Sequence, residues 1–270
     1  MSAGLDALAR ELLDAWDRAA CVPLPSARPG GLSLAQAFDV ADRVRGLRIA
    51  RGERQAGWKI GFTNRSIWAR YGVYAPIWGP VWNSTVSLLE GTQAELSLAG
   101  LCQPRLEPEI VFGFGSAPRA GMSLQELQAC LAWVAHGFEV VHTHCPDWRF
   151  QAADCVADFA LHGRLVIGPR VPVAGWTALA ADLAALRLTL GCDGAERDRG
   201  TGAVVLDGPL QALKTWLDAM PQHSPSWQVQ AGDVVTTGTL TDAWPPAAGQ
   251  QWHTSLSEPR LSALSLRVVD

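Results

Sequence analysis

The residues with the clearest chemical potential are acidic. In Pro104-Arg105-Leu106-Glu107-Pro108-Glu109-Ile110-Val111-Phe112, two glutamates stand two positions apart ahead of an apolar run. On an extended strand such residues share a face, roughly 7 Å apart along the backbone. Carboxylates converging there repel each other unless a proton or cation lies between them, and hard oxygen ligands suit Mg²⁺, Mn²⁺ or Ca²⁺. Taken alone, the pair reads more readily as a solvent-facing strand end, a reading Pro108 supports because proline belongs at strand starts and edges. Glu139 shifts the balance, since it interrupts the apolar stretch Gly137-Phe138-Glu139-Val140-Val141. With Glu107, Glu109 and Glu139 on neighbouring strands, a facial carboxylate site forms with positions open for water and substrate. On a regular strand His142 and His144 point away from Glu139 and read as non-ligands.

The second chemical signal is a lysine. Of the 22 basic residues 20 are Arg, and the two lysines are Lys59 and Lys214. Lys59 sits between Trp58 and Ile60 in Gly57-Trp58-Lys59-Ile60-Gly61-Phe62-Thr63-Asn64. Arg stays protonated at working pH, whereas a desolvated Lys with a depressed pKa can release its proton and act as a base. The bland alternative is a lysine that merely snorkels from a strand, the reading given to Lys214 on its helix.

The elements that must position these groups fall into two parts: an N-terminal helical lobe over 1–55 and a β-rich catalytic domain over 56–270. Leu5, Leu8, Leu12 and Trp16 recur at helical spacing, and Ser33 with Gln36 forms a capping box before a second helix. Beyond Gly57, strands are expected at 58–62, 85–89, 109–114, 138–142, 164–167, 186–190, 234–237 and 261–269. Helices are expected from Ser123 to about His136, stopped by Gly137, and from Pro209 onward, burying Leu210, Leu213, Leu217 and Met220. The fold class is therefore α+β with a mixed sheet, and no Gly-rich phosphate loop is present.

Composition narrows the function. The net charge of −4 leaves no basic excess for nucleic acid. No apolar run reaches the ~20 residues that span a bilayer, and the first 18 residues lack the pattern of a signal peptide. The six cysteines are scattered without a C-x-x-C pair, so they read as reduced thiols of a cytoplasmic protein rather than a zinc site or disulfide frame.

The ordered segments 57–64, 104–112 and 137–141 together resemble the fumarylacetoacetate hydrolase superfamily, and within it the branch of 2-oxo-pent-4-enoate hydratases and 2-oxo-hex-3-enedioate decarboxylases. Asp147-Trp148 followed by Ala153-Asp154-Cys155-Val156-Ala157-Asp158 is similar to that branch's D-W…A-D-x-V-A-D run. The segment Gly232-Asp233-Val234-Val235-Thr236-Thr237-Gly238-Thr239-Leu240-Thr241 is similar to its G-D-L-V-L-T-G-S-L-T turn. The resemblance implies a β-roll fold, Mg²⁺ or Mn²⁺ held by Glu107, Glu109 and Glu139, and Lys59 working beside the metal. It further implies Gly238, Thr239 and Leu240 at the substrate, and a homo-oligomer that acts in aromatic-compound catabolism. Asp154 is a candidate catalytic residue or a loop anchor. Arg65, Arg70 and Arg105 are candidates for a substrate carboxylate, with Arg105 carried forward.

Departures from the pattern are specific. Ile77 occupies the position of an acidic residue, Phe159-Ala160-Leu161-His162 follows Asp158 where the branch continues Asn-Ala-Ser, and Asp207-Gly208-Pro209 replaces Gly-His-Pro. The expected activity is a metal-assisted lyase on a small 2-oxo acid, hydratase-like, with decarboxylation and C–C hydrolysis of a β-diketone as alternatives. A small-molecule binding protein without turnover is the rival of another class. Trp58, Trp68, Trp78 and Trp82 form either an aromatic substrate wall or, more readily, packing.

Overall fold

The computed structural model describes residues 2–270. Helices α1 (Ser2–Arg18) and α2 (Leu34–Ala50) lead into β1 (Gln55–Gly61), the short α3 (Trp68–Tyr71), β2 (Ile77–Trp82), β3 (Val86–Leu88), β4 (Gln93–Ser97) and β5 (Arg105–Phe114). Next come α4 (Leu124–Ala129), β6 (Leu131–Val141), α5 (Ala152–Ala157), β7 (His162–Ile167), β8 (Val171–Pro172) and α6 (Leu179–Ala185). The chain closes with β9 (Arg187–Cys192), β10 (Ala195–Thr201), α7 (Pro209–His223), β11 (Val234–Thr239), β12 (Gln251–Leu256) and β13 (Ser265–Val269). The class is α+β, as the strand and helix signals imply. One sheet runs β2-β1-β11-β5-β6-β7-β3, with β8 added on β6; the other runs β10-β9-β12-β13-β4.

Local chemistry explains several boundaries. Ser33 and Gln36 close the capping box of α2, with Ser33 N donating to Gln36 Oε1 at 2.9 Å. Pro209 opens α7, where its missing N–H costs nothing, and the expected Leu210, Leu213, Leu217 and Met220 are buried. The helix expected from Ser123 to about His136 is overturned: α4 stops at Ala129 and residues 131–141 are strand β6. Ala132 and Ala135 suggest a helix locally, but ten register pairs with β5 and a second ladder with β7 override that propensity. Buried on both faces from Val134 onward, β6 carries apolar residues at odd and even positions alike, which hides its period of two. Strands β2, β4, β8, β10 and β12 also lie outside the expected ones.

Pro108 is not at an edge. Its strand β5 is central, between β11 and β6. The ladder with β11 slips between Thr236 and Thr239, opposite the stretch from Val111 to Glu109 and just short of Pro108. Pro108 O accepts from Leu240 N at 2.9 Å, so its missing N–H faces the chain just past the end of β11, where a proline removes no regular ladder bond.

Alternation along β5 divides its side chains. Leu106, Ile110 and Phe112 enter the main apolar cluster, which also takes in Leu12 and Trp16 of α1 and Val44 of α2. Glu107, Glu109 and Val111 take the other face, where Val111 packs with Ala135, Leu165 and Ile167. On the core face, His136 bridges the two sheets. Its Nδ1 donates to Glu109 O at 3.0 Å, and its Nε2 lies 3.0 Å from Thr254 Oγ1 on β12.

Burial pushes the His136 pKa down to about 4. The folded protein thus keeps this ring neutral while the unfolded chain binds a proton near pH 6.5. The stability this contributes is complete above pH 6.5 and is lost as pH falls toward 4, by about 3 kcal/mol in total. The stability difference between wild type and His136→Asn is therefore expected to shrink over that window, read from urea midpoints. A difference independent of pH contradicts it.

Candidate functional site

Two neighbouring strands of the large sheet bring the acidic residues together. Glu107 on β5 and Glu139 on β6 are direct cross-strand partners, and Glu109 lies opposite Gly137 one step along. One carboxylate oxygen from each falls within 4.8 Å of the others. Like charges in directly opposed positions destabilise a ladder, so this arrangement calls for a cation. Lys59 supplies part of it: its Nζ is 3.2 Å from Glu139 Oε2. Strand β11 makes that approach possible, because it pairs parallel with β1 and antiparallel with β5, which aligns Lys59 with Thr236 and Thr236 with Val111.

Each buried carboxylate is held by one oxygen. Glu109 Oε2 accepts from the Thr236 hydroxyl and, at 2.8 Å, from Gly238 N, while its Oε1 has no hydrogen-bond partner. Glu139 Oε1 accepts from His162 Nδ1 at 2.8 Å, while its Oε2 has only the Lys59 ammonium nearby, without hydrogen-bond alignment. Buried oxygens left without partners are costly. Two of them beside a third carboxylate make a donor set suited to a hard divalent cation. Gly238 is needed for this clamp: its φ is +104°, and a Cβ there falls 1.8 Å from Thr63 Oγ1.

The electrostatics follow from burial and mutual repulsion. Burial raises Glu107 to about 7, and Glu139 adds to the shift while Lys59 opposes it. Glu109 is pushed well up by burial and by both neighbouring carboxylates. Burial acts in the same sense on Glu139, but the ammonium of Lys59 and the hydrogen bond from His162 outweigh it and hold this group down. The depressed pKa expected for Lys59 is overturned. Burial does favour its neutral form, yet Glu139, Glu107 and Glu109 together hold the ammonium above its ordinary value.

Above the cluster opens a cavity of about 290 Å³, lined by Lys59, Glu107, Gly238 and Thr239, with Arg70 and Arg105 also facing it. Arg105 lies 4.0 Å over the Trp148 ring, and its Nη1 is 3.5 Å from the Tyr71 hydroxyl. Arg65 instead pairs with Asp207 at the surface. Asp154 lies apart from the lining: its carboxylate accepts from Ser26 N, Ser26 Oγ and Gln151 N, anchoring the 25–27 turn to the start of α5. Leu240 is buried and does not line the cavity. The four tryptophans pack: Trp58 lies against Trp216 and Trp227, Trp78 against Phe38, Trp82 under Arg48, and Trp68 Nε1 donates to Phe62 O. His142 and His144 are buried away from the carboxylates, and His144 pairs with Asp158.

Sequence reasoning missed His162, Thr236, Tyr71 and Trp148 as contributors. Thr236 and Trp148 lie within the motif runs and were legible there. Nothing in the spacing marks His162, which reaches Glu139 only through the register of β6 with β7. The segment before it is strained: Phe159, Ala160 and Leu161 all have φ between 50° and 66°. Ala160 and Leu161 face the cavity, and backbone strain of this kind is found at functional sites.

Fold and site together define a β-roll enzyme class that works with clustered carboxylates. No protein-family model matches the chain. A 4-oxalocrotonate decarboxylase of a Pseudomonas species is 32% identical over 196 residues, 73% of this chain and 72% of that protein. A 2-hydroxyhexa-2,4-dienoate hydratase of Comamonas testosteroni is 31% identical, covering 82% and 81%. A 2-keto-4-pentenoate hydratase of Paraburkholderia phymatum is 33% identical over 239 residues, 87% of each chain. The solved structure of 4-oxalocrotonate decarboxylase from Pseudomonas putida G7, complexed with magnesium and adipate, superposes with a TM-score of 0.90 at 23% identity, over 100% of this chain and 98% of that one. The chain belongs to the fumarylacetoacetate hydrolase superfamily, in its hydratase and decarboxylase branch.

In chelator-treated protein, Glu107 adds stability while protonated and withdraws it as pH rises through about 7. That loss sets in above the ordinary value of 4.5, so Glu107→Gln is expected to raise the melting temperature strongly at pH 8, less at pH 5.5, and hardly at all at pH 4. Calorimetry at the three pH values checks this, and an equal effect at all of them contradicts it.

Proposed function

We propose that this protein is a divalent-cation-dependent lyase acting on a small 2-oxo acid, with hydration of a 2-hydroxydienoic acid as the primary reading. The observation that carries it is Glu109 Oε1, buried with no hydrogen-bond partner among the described residues, and Glu139 Oε2, met only by the Lys59 ammonium, beside Glu107 at the floor of an open cavity. The relatives named as hydratases support the reaction class, and the magnesium in the decarboxylase complex supports the cation.

Glu107, Glu109 and Glu139 would hold Mg²⁺ or Mn²⁺. When bound, the ion supplies positive charge that polarises the 2-oxo group and offsets negative charge as the substrate enolises. Lys59 is placed to carry the proton between enol and ketone forms. It releases that proton readily only when the carboxylates that hold it are otherwise neutralised, which couples its basicity to the loaded state of the site. Arg105, stacked on Trp148 and steadied by Tyr71, presents a planar donor fork to a substrate carboxylate.

Decarboxylation is favoured as a second reading by two observations. Arg70 and Arg105 face the cavity, and among the described residues neither makes an ion pair within the chain; together they can hold two carboxylates. The positions where the branch carries polar groups hold Ile77 and Phe159, both buried outside the cavity lining, and Leu161 in it, so these positions offer a water no polar contact.

The test is product analysis by NMR after incubating 2-hydroxydienoates and their dicarboxylate analogues with protein and Mg²⁺. Hydroxylated product supports the hydratase, loss of CO₂ the decarboxylase, and no turnover refutes the lyase. Lys59→Met is expected to lower kcat ~10²–10⁴-fold without abolishing Mn²⁺ binding. Arg105→Leu is expected to raise KM ~10–100-fold, and more for a dicarboxylate than for a monocarboxylate if the second reading holds.

A further inference from the structure

His162 is fully enclosed, and both of its ring nitrogens are engaged. Nδ1 lies 2.8 Å from Glu139 Oε1, and Nε2 lies 2.8 Å from Thr85 Oγ1. An ionised carboxylate can only accept, so Nδ1 carries a proton and points it at Glu139. Thr85 is itself fixed: its hydroxyl oxygen lies 3.1 Å from Trp82 O and accepts from Trp82 N at 3.2 Å. The line Trp82–Thr85–His162–Glu139 thus runs from the backbone after β2, through the first residue of β7, into the carboxylate cluster.

We infer that His162 is a positioning residue for the metal ligand Glu139, and that this line decides which of its oxygens faces the cation. With Oε1 taken by the imidazole, only Oε2 remains for the site, so Glu139 ligates through one oxygen. Glu109 is treated in the same way from the opposite side, where Thr236 and Gly238 take Oε2 and leave Oε1. The two clamps each leave one oxygen outside the hydrogen bonds, in a cluster where one oxygen of each of the three glutamates lies within 4.8 Å of the others. Outer hydrogen bonds of this kind orient ligands, and losing one typically costs ~10–100-fold in metal affinity. The inference rests on the metal reading above, and it concerns binding rather than turnover.

The test measures Mn²⁺ affinity by EPR on full-length protein stripped with chelator, using folded samples matched by circular dichroism. His162→Phe keeps a ring but removes the donor, and it is expected to weaken Mn²⁺ binding ~10–100-fold. His162→Asn places an amide N–H near the position of Nδ1 and is expected to recover most of the loss, which a merely space-filling role does not explain. Thr85→Val leaves the ring in place without its second partner and is expected to weaken binding by a smaller factor. Equal Mn²⁺ affinity in wild type and His162→Phe, or an Asn variant as weak as the Phe variant, overturns the inference while leaving the metal reading intact. Absence of Mn²⁺ binding to the wild type overturns the metal reading, and this inference with it.

Discussion

Three carboxylates with oxygens inside 4.8 Å carry more negative charge than the single ammonium beside them can offset. In a buried setting that imbalance must be met by protons, by a cation, or by loss of the fold. The surrounding structure is organised to tolerate it. Each buried glutamate gives one oxygen to fixed donors, the central strands pack densely on the opposite face, and Lys59 is drawn in by the parallel ladder of β1 with β11. Without the cation these groups sit at unusual protonation states. A bound cation would favour the ionised form of all three and loosen their hold on the Lys59 proton.

This constraint also accounts for features that look anomalous in isolation. A left-handed glycine on the adjacent strand forms the bulge that points Gly238 N at Glu109, and a proline in a central strand sits where the ladder has just ended beside it. Strand β6, whose alanines suggest a helix, becomes a strand because Glu139 must face Glu107 while Phe138 and Val140 enter the core. Local preference yields there to tertiary pairing.

Much of this was legible in the sequence. The spacing of Glu107 and Glu109 and the intrusion of Glu139 into an apolar run predicted one shared face, and the N-terminal helices and α7 were marked by caps and periodicity. What could not be read was information held in strand register. His162 lies 23 positions from Glu139 and meets it only across the β6–β7 ladder. The ionisation of Lys59 was misjudged for a related reason: burial of one residue can be read from its neighbours in sequence, whereas the field of three carboxylates depends on where the sheet places them. Asp154 and Leu240 illustrate the converse, since sitting in a motif run did not bring either to the cavity.

The strained turn at 159–161 gives the first two helices a role beyond packing. Phe159 holds a left-handed backbone while its ring lies 4.6 Å from that of Trp16 on α1 and 5.7 Å from the Arg48 guanidinium on α2. Left-handed geometry costs a non-glycine residue roughly 1–2 kcal/mol, so these contacts help keep the turn in place. Ala160 and Leu161, the next two residues, form part of the cavity wall. The helices are thus the outer brace of the reaction chamber, and a change in their seating reaches the substrate through three residues of backbone.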